Sequence, residues 1–282
     1  MPFTLDLETF EEMLPQRVDL ASPSLDLRQC CWVYPQGAMG LLLLLRYHVR
    51  KGARPRVFRP VDQNVDSYLE RMGIYLLTHL DVEYIPDLSN VLGHIWTERD
   101  TMQAVTPVES AEQVAALVEK FQHGLAAQLS NQGTVNNLSH SVLEILENMP
   151  LHANPADPER FEGYANIQTY MNGRKVMVAV GDLGVGIKES LQTSKVYRTR
   201  ILTHCDAVLL AAENKASRFH GTKRRHHGGG LHRAIEHARL AECFIYVRTG
   251  DSMVVWGPGE YRSEEKVKFF PGTQILIVAR KN

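Results

Sequence analysis

Leu138, Val142, Leu143, Ile145, Leu146 and Met149 recur at steps of three and four residues, the period of a helix with one apolar face, and predict a helix over Leu138–His152. Ser110–Leu129 has the same rhythm, with Val114, Leu117, Val118, Phe121 and Leu125 on one side. Two strand-like runs, Tyr164–Met171 and Lys175–Gly181, flank Asn172-Gly173, a strong hairpin signal. The second run, Val176-Met177-Val178-Ala179-Val180, is apolar throughout and reads as a buried strand. A helical run His232–Ala241 follows a glycine-rich stretch. Near the end, Pro271-Gly272-Thr273 leads into the strand-like Gln274–Ala279.

The first hundred residues alternate differently. Cys30–Tyr34 reads as a strand, and Pro35-Gln36-Gly37 turns the chain into a helix over Ala38–Arg50. Arg56–Pro60 is a second strand, and Asn64–Met72 is a helix ending near Gly73. Such alternation implies parallel strands joined by crossover helices. The join between the two halves falls near Pro86–Pro107, with a connecting helix expected over Asp87–Ile95.

Composition narrows the class without specifying it. With 282 residues and 44% hydrophobic positions, the chain can bury two cores. The formal net charge of −1 gives no global pull toward nucleic acid or membrane, so nucleic acid is disfavoured as a partner. Basic charge is local, around Arg218–His227. The apolar run Leu41–Leu45 is far too short to span a bilayer, and the acidic N-terminus is unlike a secretory signal. The cysteines, Cys30, Cys31, Cys205 and Cys243, form no CxxC pair, and reduced thiols in a cytoplasm are expected. Of the twelve histidines, His226, His227 and His232 are close in sequence, but a glycine-flanked loop does not preorganise zinc.

Three polar clusters carry candidate chemistry. Glu144, Asn148 and His152 fall four residues apart, along one edge of the predicted helix. The amide oxygen of Asn148 suits Mg²⁺, which takes oxygen ligands, and Glu144 suits deprotonation of water or a hydroxyl. The apolar strand delivers Asp182 to its end, followed by Gly184, Gly186 and Ile187. An ionised Asp there can accept a hydrogen bond from the exocyclic amine of a base. Last comes Lys223-Arg224, then Gly228-Gly229-Gly230-Leu231 running into a helix start, where backbone N–H groups attract an anion and the basic residues add charge. Each cluster alone also fits a plain reading: a solvated helix edge, a glycine-rich loop, a basic linker.

Taken together, in this order and spacing, the clusters resemble the N, G1 and G2 boxes of the GHKL ATP-binding fold, shared by histidine kinases, anti-sigma-factor serine kinases, type II topoisomerase subunits, mismatch-repair ATPases and a heat-shock chaperone. The likeness covers roughly Ala104 to the C-terminus. It implies Glu144 as general base, Asn148 as Mg²⁺ ligand, Asp182 as the adenine reader with Gly184 and Gly186 shaping the pocket wall, and Gly228, Gly229, Gly230 and Leu231 as the phosphate loop. His152 matches a position of variable role, and Thr273 matches a hydroxyl supporting the Asp. Leu231 is followed by His232, where many members have glycine. The segment Trp32–Met72 resembles a STAS domain, through its strand, turn, Leu-rich helix, Lys51-Gly52 corner, strand, then Tyr68-Leu69 and Arg71-Met72-Gly73. Its turn, Tyr34-Pro35-Gln36-Gly37-Ala38, lacks the phosphorylatable Ser or Thr that regulatory STAS domains usually offer there, so self-phosphorylation is not expected.

The expected fold class is therefore an α/β and α+β two-domain chain. Residues 1–100 form a STAS-like docking or sensing domain, and 101–282 form a GHKL α/β sandwich with helices on one face of a mixed sheet. A sensor histidine kinase is disfavoured, because no segment has room for a dimerisation hairpin; His123 and His140 read as helix surface. Two functions remain open. In one, Mg²⁺ and ATP bind and the γ-phosphate passes to water or to a protein Ser/Thr, in a bacterial regulatory component. In the other, ATP orders the protein without turnover and controls partner binding. A protein partner is expected in both, and a homodimer by analogy alone.

Overall fold

The computed structural model describes residues 2–14, 23–89, 91, 102–108, 110–153, 162–170, 175–213, 216 and 229–280. The chain divides into two compact units, Met1–Arg99 with Gln103–Thr106, and Asp100–Met102 with Pro107–Asn282. Both mix helices with strands.

The first unit runs β1 (Phe3–Leu5), α1 (Leu7–Met13), β2 (Ser24–Asp26), β3 (Cys30–Val33), α2 (Pro35–Arg50), β4 (Arg56–Phe58), α3 (Gln63–Arg71), α4 (Ile74–Thr78) and β5 (Glu83–Ile85). The alternation does give parallel strands, but in two small sheets: β1 pairs β3, and β4 lies between β2 and β5. Helix α2 starts at Pro35 itself, whose fixed φ suits the first turn and whose missing N–H would have had no partner there. Leu41 through Leu45 are all at most 2% exposed. A helix apolar on every side belongs inside, and each buried leucine contributes roughly 1.5–3 kcal/mol. A second knot is polar: buried Arg59 forks onto Asp66, which also accepts from Tyr75 Oη at 2.5 Å. Asp87, Leu88 and Ser89 are not helical, and most of the expected helix Asp87–Ile95 lies outside the described residues.

Strand β6 (Met102–Val108) is divided between the units, with Gln103–Thr106 in the first, and the second unit continues with α5 (Ala111–Gln128), α6 (Gln132–His152), β7 (Gly163–Tyr170), β8 (Lys175–Asp182), α7 (Gly186–Gln192), α8 (His204–Glu213), α9 (Gly230–Leu240), β9 (Phe244–Trp256) and β10 (Arg262–Arg280). The sheet order is β6-β7-β8-β10-β9. Pairing from β7 through β9 is antiparallel. Alternate residues Ala165, Ile167, Val176, Val178, Val180, Ile275, Ile277, Ile245 and Val247 share one core with helices α5 to α9. The pleat sends these positions to a single face, and the helices cover that face. Asp182 ends β8 on the same face. It pairs with Thr273 of β10, which pairs with Thr249 of β9, so three polar residues form one row across the sheet where β8 ends. The turn Asn172-Gly173 lies outside the described residues. No helix among the described residues is long and apolar enough to cross a membrane.

Candidate functional site

A cleft opens in the second unit between α6, α7, α9 and the polar row of the sheet. Its wall includes Asn148 and His152 from α6, Asp182, Gly186 and Ile187 after β8, Gly229, Gly230 and Leu231 at the start of α9, and Thr273 from β10. These positions lie in four separate stretches of sequence, and the fold brings them to one place.

The helical face is supplied by α6. It extends two residues past Pro150, although proline there removes one donor of the ladder, and the Ala153 N–H donates to Met149 O at 2.9 Å to close the end. His152 points across to α7, its Nδ1 3.1 Å from the Oγ of buried Ser190.

Asp182 is 7% exposed, and its Oδ1 accepts the Gly184 N–H at 2.7 Å. That bond turns the chain sharply at the strand end. Gly186 holds φ +83°, a region that costs glycine little and other residues more, and an added Cβ would lie 2.8 Å from Thr249 Oγ1. The Thr249 hydroxyl, fully buried, donates to Gly272 O at 2.9 Å and accepts the Ile187 N–H at 3.3 Å. It stitches the loop after β8 to β10. Gly184 is not on the wall: it backs against Ala153, whose carbonyl oxygen would be 2.3 Å from an added Cβ. Its expected part in the pocket wall is thus indirect, as a crossing point for the end of α6.

At the opposite end, Gly229 caps α9 with φ +84° and Gly230 begins the helix. The first backbone N–H groups of a helix have no internal partner and favour an anion. Gly230 lies so close to α6 that a Cβ would be 2.7 Å from Asn148 Oδ1. His232, at the position where a glycine was expected, leaves the cleft clear. Its Nδ1 is bound to Ala212 O at 2.5 Å and its Nε2 lies 3.1 Å from Glu236. Lys223, Arg224 and Gly228 lie outside the described residues.

Glu144 departs from expectation. It is absent from the cleft wall, although its neighbours Ile145 and Asn148 belong to it. Arg233 of α9 takes both carboxylate oxygens, Nε–H donating to Oε1 at 2.5 Å and Nη2–H to Oε2 at 2.7 Å. The reason is helical geometry. Four residues exceed a 3.6-residue turn by about 40°, so a row spaced by fours winds around the helix. The row enters the cleft at Asn148 and leaves it at Glu144, where α9 crosses.

That crossing is polar along its length. His140 stacks on His237 with ring centroids 5.2 Å apart, Asn137 Oδ1 lies 3.4 Å from His237 Nδ1, and the buried Ser141 hydroxyl donates to Ala234 O at 2.8 Å. Burial first, and then the charge of His140, hold the His237 imidazole below the ordinary histidine value. Behind the wall, His204 Nδ1 lies 2.6 Å from Asp251 Oδ1 and its Nε2 lies 3.5 Å from Glu189. Burial pushes the Asp251 carboxyl up, but the hydrogen bond and charge of His204 outweigh it and hold it below the ordinary range.

Sequence reasoning missed Thr249, Ser190 and Arg233. A threonine in a strand reads as an ordinary β-former, a serine in a short helix as surface, and an arginine in an amphipathic helix as its solvated side. Only pairing across 62, 38 and 89 residues gives them roles. Among the described residues, no three His, Cys, Asp or Glu side chains gather as a metal site, and all four cysteines are free. No family model and no curated protein matches this chain.

Proposed function

We propose that the second unit is a GHKL-type domain that binds ATP with Mg²⁺ in this cleft, and that the first is a STAS-like docking or sensing unit. The observation that carries the reading is the convergence of Asn148, Asp182 and Gly229-Gly230, remote in sequence, on one cleft. Asp182 suits the adenine amine, with Gly186, Ile187 and Thr273 around the base. The N–H groups opening α9 suit the phosphates. Asn148 offers the amide oxygen for Mg²⁺, and the crowding of Gly230 against it sets metal ligand and phosphate site side by side. Bound Mg²⁺ would neutralise phosphate charge. The chain's own work is to hold base and phosphates and to supply Glu144 as a proton acceptor for water or for a Ser/Thr hydroxyl of a protein partner.

A second reading has a specific observation behind it. With both its oxygens on Arg233, Glu144 does not face the cleft, which favours an ATP-gated interaction switch with little turnover. The two readings share the binding site and differ in chemistry.

Calorimetry on Asp182→Asn tests the site. Loss of one charge-assisted hydrogen bond is worth about 1.5–3 kcal/mol, so ATP affinity falls by roughly tenfold to a hundredfold. Equal affinity in mutant and wild type contradicts the adenine assignment.

A further inference from the structure

We propose that Arg233 is a positioning residue that restrains Glu144 and so sets the rate of phosphate release; this rests on the nucleotide reading above. The guanidinium fork matches a carboxylate, and its two parallel bonds fix direction as well as distance. A carboxylate with both oxygens so engaged is aimed along the fork and offers a poor lone pair to a water elsewhere. Glu144 is in this state. Its helix borders the cleft at Ile145 and Asn148, while its side chain lies along α9.

The restraint comes from the helix that opens the phosphate site. Arg233 is in the turn that follows Gly229-Gly230. The backbone beneath it is fixed, since Ala234 receives the Ser141 hydroxyl and His237 stacks on His140. Glu147, one position before Asn148, adds negative charge near the guanidinium and is an alternative acceptor when Arg233 lets go of Glu144. In the step controlled, an attacking water gives its proton to Glu144 as its oxygen bonds the terminal phosphorus. The bond from that phosphorus to the bridging oxygen breaks, giving ADP and inorganic phosphate. Glu144 can take that proton only with an oxygen released from the fork.

The test uses the full chain with Arg233→Gln, Arg233→Lys, Glu144→Gln and the double variant Glu144→Gln/Arg233→Gln. In Arg233→Gln, kcat for phosphate release rises by about tenfold to a hundredfold, at or below the low end of what a placed general base contributes, while KM and calorimetric ATP affinity are unchanged. The gain disappears in the double variant. Arg233→Lys, which keeps the charge but loses the fork, is intermediate, and it decides the matter should Arg233→Gln fail to fold. A readout independent of turnover is the Arg233 Nε–H signal in NMR spectra. It shifts on Glu144→Gln, and in wild type it keeps its paired position when a non-hydrolysable ATP analogue is added. Release that is unchanged or slower in the Arg233 variants, with ATP still bound, overturns the restraint, as does a signal that leaves its paired position with the analogue. Wild type that binds no ATP in the calorimeter removes the nucleotide reading itself, and the restraint with it.

Discussion

At Gly230 two helices come within contact distance, and a single methyl group decides what fits between them. The added Cβ would meet the end of the Asn148 side chain, which can swing aside, rather than backbone, which cannot. Alanine also favours helix over glycine by about 1 kcal/mol. Gly230→Ala is therefore expected to fold with equal or greater thermal stability and yet to lose about tenfold in Mg²⁺-dependent ATP affinity, a difference of about 1.4 kcal/mol. Thermal melts and calorimetry on the same sample separate the two effects, and weaker folding with unchanged binding would contradict the argument. Residues of this kind were legible in the sequence because glycine, Asp and Asn narrow the chemistry by themselves. Arg233 was not. Its meaning depends on Glu144, a residue on another helix, and no local pattern reports a partner that remote. The pair is half exposed on the arginine side, so by itself it stabilises the fold by at most about 1 kcal/mol. Its weight is in where it points Glu144.

Among the elements, α6 and α9 act as a pair whose seam responds to pH. Because the fold holds His237 below the ordinary histidine value, the neutral form is the one that fits. The unfolded chain binds the proton more readily, so the seam contributes stability above about pH 6.5, the ordinary histidine value, and loses it as pH falls from there toward the lower folded value. The groups facing His237 are His140, Asn137, Glu144, Glu236 and Arg233, and the charge of its stacked neighbour adds to the cost of protonation. In His237→Asn, urea unfolding measured across this range is expected to show a shallower pH dependence than wild type; an identical slope would remove His237 as the cause. The helix α6 itself was legible from Leu138 onward by its apolar rhythm. Its first turns, Gln132–Asn137, were missed because Val135 is the one apolar side chain among them, and the signal for them was the cap Asn131, whose Oδ1 accepts the Thr134 N–H at 3.1 Å. The strand β9 went unread because Gly250, Asp251 and Ser252 interrupt its apolar run, and β10 carries extra residues between Lys266 and Thr273 where the pairing shifts register.

On the scale of the molecule, the two compact units have separate apolar centres, one around the leucines of α2 and the other between the helices and the sheet. Two alternating patterns along the chain made that organisation visible in advance. How β1 and β3 would separate from the other three parallel strands was not visible, since short strands of three or four residues carry little register information. ATP that binds the folded second unit alone at a hundred times its Kd adds about 2.7 kcal/mol to the stability of that unit. Hydrogen exchange should slow by a matching amount in α6, β8 and α9, and unaltered exchange there would mean that ligand binds elsewhere. One small bond limits how that unit can respond. The Ser141 hydroxyl reaches Ala234 O with no exposure to solvent, and sliding α9 along α6 by one residue, about 1.5 Å, would strand it. Lengthwise travel is thus closed to α9, and what is left is a see-saw about that point: a tilt that lifts Gly230 from Asn148 must press the far end, beyond His237, toward the start of α6.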